Sequence, residues 1–154
     1  MLRFKCLSFT ELQIPELYAL LKLRQDVFIL EQDCLYPDLD NRDQASYHLL
    51  ALNAADNLVA YARILPQGLV HQDYVAIGRV VNSDQVRGQG IGQQLMKEAI
   101  ATCHKLFGRI PIKISAQCYL LKFYESLGFQ SVGDSYLEDD IPHIGMIYQW
   151  PTTS

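Results

Sequence analysis

The sequence predicts an α/β protein whose mixed central sheet has six to seven strands with helices flanking it. Three observations lead there. Runs of β-rich, alternating residues interleave with runs whose apolar positions recur every three or four residues. Turn-length connections join some of the strand-like runs, which demands antiparallel pairs beside any parallel ones. The 154 residues are enough for one domain over 1–154, and neither a repeat nor a low-complexity linker divides them.

Residues 2–8 read as a first strand. Thr10 with Gln13 then offers a capping box, and Pro15 suits a first helical turn. From Leu17 the apolar positions Leu17, Leu20, Leu21, Val27 and Phe28 keep helical spacing, with Arg24 as the one polar interruption, to an end near Glu31. Residues 33–45 are rich in charge, contain Pro37, and read as an irregular or short-helical excursion. Ser46–Asn53 and Leu58–Leu65 are β-rich runs around the hairpin turn Ala54-Ala55-Asp56-Asn57. After a loop at Pro66-Gln67-Gly68 comes a third long strand, Tyr74–Asn82. A loop from Ser83 to Arg87 leads into a helix whose apolar residues Ile91, Leu95, Ala99, Cys103 and Leu106 share one face. Pro111–Ala116 is strand-like, Tyr119–Leu127 is a short helix stopped by Gly128, and Phe129–Gly133 and Ile144–Trp150 are further strands.

Composition excludes several classes of function. Lys and Arg number 13 against 17 Asp and Glu, a net charge of -4, which argues against a protein that lives on phosphate-backbone contacts, so no nucleic-acid partner is expected. No apolar run approaches the ~20 residues of a membrane span, so no membrane partner is expected either. Met1 to Cys6 alternates charge with apolar residues where a signal peptide would be uninterruptedly apolar, and the expected location is cytoplasmic. Cys6, Cys34, Cys103 and Cys118 show no C-x-x-C spacing and read as free thiols. His48, His71, His104 and His143 form no ligand pattern with them, and no metal is expected.

The chemistry concentrates between Tyr74 and Gly92. There a strand, a glycine-rich turn, Arg87-Gly-Gln-Gly-Ile-Gly92, and a helix start follow one another. Unpaired amides and the positive end of the helix dipole then point at one place, which suits an anion. A P-loop would need G-x-x-x-x-G-K-[ST], which is absent. A Rossmann G-x-G-x-x-G starting at Gly88 fails because Gln93 occupies the third glycine position.

Arg87, Gly90 and Gly92 resemble the (Gln/Arg)-x-x-Gly-x-(Gly/Ala) pyrophosphate loop of the GNAT N-acetyltransferases. Phe123-Tyr-Glu-Ser-Leu-Gly-Phe129 is similar to the closing signature of that family and follows the loop by about 35 residues. Leu23-Arg24-Gln25-Asp26-Val27-Phe28-Ile29-Leu30-Glu31-Gln32, Tyr47-His48-Leu49-Leu50 and Asp140-Ile-Pro-His-Ile-Gly-Met146 look like the ElaA-like subgroup, a small bacterial one.

The resemblance implies the acyl-CoA N-acyltransferase fold with splayed middle strands, and acetyl-CoA as co-substrate. On it, Val80, Val81 and Asn82 would pair through their backbone with the pantetheine arm, although the family usually has an apolar residue where Asn82 stands. Arg87, Gly88, Gln89, Gly90, Ile91 and Gly92 would hold the pyrophosphate, and Gln117 would reach the pantetheine. Tyr124 would protonate the departing thiolate. Cys118 is expected to be a buried structural residue, since direct transfer needs no thiol nucleophile.

The acceptor amine of a small molecule or protein must lose a proton first, and Glu31, His48 and His143 are the candidate bases. Two acidic clusters, Asp38/Asp40/Asp43 and Glu138/Asp139/Asp140, either draw in a cationic amine or are solvated loop faces. A homodimer is an expectation of the fold class. The competing reading is a non-catalytic CoA-sensing or protein-interaction module on the same fold.

Overall fold

The structure, a computed structural model, describes residues 1–151. Seven strands form one sheet: β1 (Arg3–Ser8), β2 (Tyr47–Leu52), β3 (Leu58–Leu65), β4 (Val75–Asn82), β5 (Ile112–Gln117), β6 (Phe129–Glu138) and β7 (Ile141–Tyr148). Their spatial order is β1-β2-β3-β4-β5-β7-β6. Neighbours are antiparallel except β4 and β5, which run parallel because a helical crossover joins them. That crossover is α2 (Ile91–Phe107), whose stripe of Ile91, Leu95, Met96, Ala99 and Cys103 is buried against one face of the sheet. The short α3 (Leu121–Ser126) packs on the same side through Tyr124 and Phe129. On the other face, α1 (Ile14–Arg24) covers Tyr61 and Val81 with Leu20 and the following Val27.

The first helix differs from its sequence reading. Gln13 and Glu16 make the capping box, the Gln13 amide donating to Glu16 at 2.8 Å, and Ser8 with Glu11 caps the short turn before it. Thr10 and Gln13 do not pair in this way. After Arg24 the helix widens into a π-helical segment, Gln25–Glu31, with Gln32 donating to the Val27 carbonyl and Cys34 to that of Ile29. Such widened turns interrupt the regular spacing and recur at functional sites.

The last two strands run beyond the expected 129–133 and start before the expected 144. Gly133 reads as a terminator, yet the sheet absorbs it as an irregularity between Val132 and Tyr136, with Gly133 at φ +72°. Asp139 and Asp140 then close the hairpin, both left-handed at φ +49° and +64°, as a tight two-residue turn requires. Trp150 lies past the strand and donates its indole N–H to the Ile110 carbonyl.

Neither sequence reading of Asp38, Asp40 and Asp43 survives. Arg24, the supposed polar interruption of the helix, is fully buried and meets Asp38 at 3.0 Å and Asp43 at 2.8 Å. Arg63 joins Asp40 and Asp43, and Arg79 joins Asp38. Three guanidinium groups thus neutralise three carboxylates within the fold. Burial opposes the charges of Asp40 and Asp43, but the arginine hydrogen bonds and fields outweigh it and hold both carboxyls below the usual carboxylate range. The network ties the 33–45 excursion to α1, β3 and β4.

Candidate active site

The sheet opens where β4 and β5 part. Their parallel pairing consists of Val75 with Ile112 and Ala76 with Lys113, although β4 continues to Asn82 and β5 to Gln117. The cause lies on the other edge of β4. Tyr61 pairs with Val81 and Arg63 with Gly78, so two residues, Arg79 and Val80, stand opposite the single Ala62. This bulge bends β4 and adds twist, and it places Arg79 in the left-handed region at φ +50°. A non-glycine residue there costs roughly 1–3 kcal/mol unless its surroundings impose it. Here Asp38 does so: the Arg79 guanidinium donates to its carboxylate at 2.8 Å and to its carbonyl at 3.0 Å, above the ring of Tyr36.

Between the parted strands lies a cavity of about 160 Å³. Ile77, Gly78, Arg79 and Val80 form one wall, and Ile114, Ser115 and Gln117 the other. Tyr124 and Leu120 also line it, as do Phe28, Cys34 and Tyr36. Tyr124 is 7% exposed, stacked edge-on against Phe123 and Phe129, and burial pushes its phenol up to about 12. It is therefore a neutral proton donor at physiological pH.

At the far end of β4 the chain turns through Ser83, whose hydroxyl caps the short turn Asp84–Val86, into Arg87. Gly88 and Gly90 adopt φ +80° and +73°, and a side chain at either would meet open space. Gly90 is the N-cap of α2, and no side chain caps that helix. Its first amides are therefore open to an anion. Gly92 is needed for a close approach: a Cβ there would lie 3.2 Å from the Asn82 amide nitrogen. Asn82 fills the position over Gly92, with its other amide atom buried and unpartnered. Together, an unpaired strand edge, an uncapped helix start and open left-handed glycines suit a long anionic cofactor with an extended arm.

The expected site residues divide accordingly. Val80, Gln117 and Tyr124 meet at the cavity, and Arg87 through Gly92 form the turn beyond it. Val81 points to the opposite face, among Leu20, Val27 and Tyr61, and Ile91 is core, so these two can contribute only backbone. Glu31 does not face the cavity; it pairs with Arg87, which also donates to the Asn82 carbonyl. Cys118 is half-buried rather than buried.

The two candidate histidines part company. His48 is fully buried in β2, separated by β3 from β4 and the opening, and does not line the cavity. A carbonyl only accepts, so its Nε2–H donates to Asp43 at 2.9 Å, and its Nδ1 accepts from the Tyr61 hydroxyl at 2.6 Å. Burial lowers its pKa, and with both nitrogens engaged it is a structural residue, not a base. His143 does line the cavity.

Cys34, Tyr36, Arg79 and Ser115 line the same space and were not singled out by the sequence. Strand alternation places Ser115 beside Gln117 on one face, but nothing local marks the loop residues as neighbours of β4. Among the described residues, no three His, Cys, Asp or Glu side chains converge to hold a metal ion, and no helix is long and apolar enough to cross a membrane.

A sheet opened beside an uncapped helix start defines the acyl-CoA N-acyltransferase class. The sequence profile of the acetyltransferase (GNAT) domain matches residues 20–150, and the chain belongs to that family. Protein ElaA of Escherichia coli K12 is 44% identical, covering 95% of each chain. The crystal structure of an acyl-CoA N-acyltransferase from Pseudomonas aeruginosa is 43% identical and covers 96% of this chain and 99% of its own, with a TM-score of 0.91. That of Escherichia coli ElaA is 42% identical at a TM-score of 0.90, covering 97% and 100%. A UPF0039 protein of Schizosaccharomyces pombe, 41% identical over 94% of this chain and 95% of its own, shows that such relatives are not confined to bacteria.

Proposed function

We propose that this acetyltransferase moves the acetyl group of acetyl-CoA directly to an amine in a ternary complex, in the cytosol. The observation that carries the reading is the parting of β4 and β5 after Ala76, with the buried, hydroxyl-bearing side chain of Tyr124 lining the cavity between them. Acetyl-CoA supplies the activated acyl group. Backbone around Val80 and Asn82 would pair with its pantetheine arm as an added strand. The turn from Arg87 to Gly92 would hold the pyrophosphate. An amide of the bulged β4 would polarise the thioester carbonyl, an effect worth about 3–4 kcal/mol per donor. As the amine nitrogen forms its bond to carbon, the C–S bond breaks and its electron pair stays on sulfur. Tyr124 gives that sulfur its proton and recovers one from the newly acylated nitrogen.

Acetyl-CoA at millimolar concentration should raise the melting temperature of the protein, by mass action on the folded state. Gly90→Glu, compared with its own ligand-free melting temperature, should remove that shift by placing bulk and negative charge in the loop. Absence of a shift in the unaltered protein sinks the proposal. Thiol release with an amine panel should then occur, and Tyr124→Phe should slow it roughly 10²–10⁴-fold while preserving the shift. Binding without thiol release from any amine would identify a CoA-sensing module.

A further inference from the structure

We propose that His143 is the base that takes the first proton from the acceptor, and that Glu138 docks the acceptor as a primary alkylammonium ion. The inference rests on the acetyl-transfer reading above. Strand register brings the group together. His143 lies opposite Gln117 on β5 and opposite Tyr136 on β6, and directly paired residues share one face of a sheet. Ser115 and Glu138, each two residues along its strand, fall on that face as well. Across this face the hydroxyls of Ser115 and Tyr136 hydrogen-bond, while Gly145, opposite Ser115, is covered by Val132 and the Lys113 stem.

The tautomer follows from the partners. His143 Nδ1 lies 2.6 Å from the Ile141 carbonyl, which can only accept, so Nδ1 carries the hydrogen, and in the neutral ring the lone pair is on Nε2. His143 is 6% exposed, and its ring lies within 23° of parallel to that of Tyr136 with centroids 6.2 Å apart. Nε2 faces Glu138 Oε2 at 3.5 Å, a separation at which one ammonium group can donate to both. The other carboxylate oxygen is 3.4 Å from the Ser115 hydroxyl. Glu138 itself is half exposed at the cavity mouth, while His143 lies inside it. An entering ammonium therefore meets the carboxylate before the base.

The surroundings favour a cation. Asp139 shares the cavity wall with Glu138, and the adjoining surface groove is lined by Asp33, Asp139 and Asp140. Arg79, the cation in the cavity wall, is committed to Asp38. The remaining titratable groups of the wall are Tyr124, Tyr36 and Cys34. Burial pushes the tyrosine phenols up to about 12, so both stay neutral at physiological pH.

The proton balance closes. The ammonium gives one proton to His143 Nε2, and the imidazolium so formed is compensated by Glu138. The neutral amine attacks, and its second proton replaces the one Tyr124 has given to sulfur. His143 then releases its proton to solvent, one per acetyl group transferred.

Thiol release should be followed against pH with three acceptors: cadaverine, a peptide with one lysine and a blocked N-terminus, and methoxyamine, which is uncharged at neutral pH. At least one of the first two should be acetylated, and which one distinguishes a free amine from a lysine side chain. With it, kcat/KM should be level around neutral pH and fall tenfold per pH unit on the acid side. His143→Gln should lower it roughly 10²–10⁴-fold at neutral pH and replace the level region by a continuous tenfold fall per pH unit, because only amine already neutral in solution then reacts. Methoxyamine turnover should be nearly unchanged by His143→Gln, because no first proton needs removal, which separates a base from a merely structural histidine. Glu138→Gln should raise KM for the charged acceptor roughly tenfold or more and leave that for methoxyamine alone.

If acetyl-CoA shifts the melting temperature yet neither charged amine is acetylated, or His143→Gln keeps the level region around neutral pH, or it slows methoxyamine equally, this inference fails while acetyl-CoA binding stands. If acetyl-CoA gives no shift, the underlying reading fails first.

Discussion

Asp38, Asp40 and Asp43 sit within reach of Arg24, Arg63 and Arg79, whereas Glu138 meets His143 and Ser115 at a cleft mouth, beside the exposed turn of Asp139 and Asp140. In the chain these are two similar acidic runs. In the fold one is internal scaffolding and the other fronts the site. The difference is supply of counter-charge: α1, β3 and β4 each bring one arginine to the first cluster, while the second closes a hairpin at the end of the sheet. The first cluster acts on the site through Arg79, whose left-handed bulge it imposes. The second acts, in our proposal, on the acceptor.

The sharpest way to break this contrast is to neutralise one member of each cluster. Asp43→Asn should cost about 3–5 kcal/mol in a denaturant titration, because two buried guanidinium groups lose their shared carboxylate. Asp140→Asn should stay within ~0.5 kcal/mol of the parent. Equal losses would mean that the arginine network is not what holds the excursion.

Next in size is the dependence of stability on acid. The folded pKa values of Asp40 and Asp43 lie below the ordinary value of 3.8, so their stabilisation is fully present above that value and is lost as pH falls through the lowered ones. Ligand-free stability should therefore decline from about pH 4 downward, and Asp43→Asn should flatten part of that decline. An unchanged slope in the variant would remove Asp43 from the linkage.

The smallest effect belongs to the outer turn. Asp139→Asn together with Asp140→Asn should raise KM for a cationic acceptor only a few-fold, and the increase should vanish near 1 M salt, where the screening length is about 3 Å. An increase that persists in salt would make the turn a direct contact rather than a field.

Much of the fold was legible because it is written in local pattern. The amphipathic stripe of α2, the hairpin at Ala54 to Asn57 and the glycine turn at Gly88 to Gly92 each depend on residues close in the chain. Tyr124 and Arg87 were reachable through motifs of the same kind. Arg24 was misread because its partners, Asp38 and Asp43, are supplied by a segment without periodicity. Tyr136 was missed because Gly133 resembled a strand end, and the Asp139-Asp140 turn resembled a charged loop. The left-handed tolerance of aspartate was the available signal. Of the two candidate histidines, the sequence puts His48 on a strand and His143 just before one, and only the structure shows their hydrogen-bond partners and that both lie on strands.

The amino-acid sequence by itself determined the α/β alternation, the glycine turn before α2 and the tyrosine of α3, since each follows from spacing, glycine geometry or a helix terminus. Only the tertiary structure decided which carboxylates meet arginines, which histidine lines the cavity, and where the sheet opens. Those outcomes depend on pairing between residues far apart in the chain. A charge's role is set by the counter-charge and the solvent it meets, and neither is a property of its neighbours in sequence.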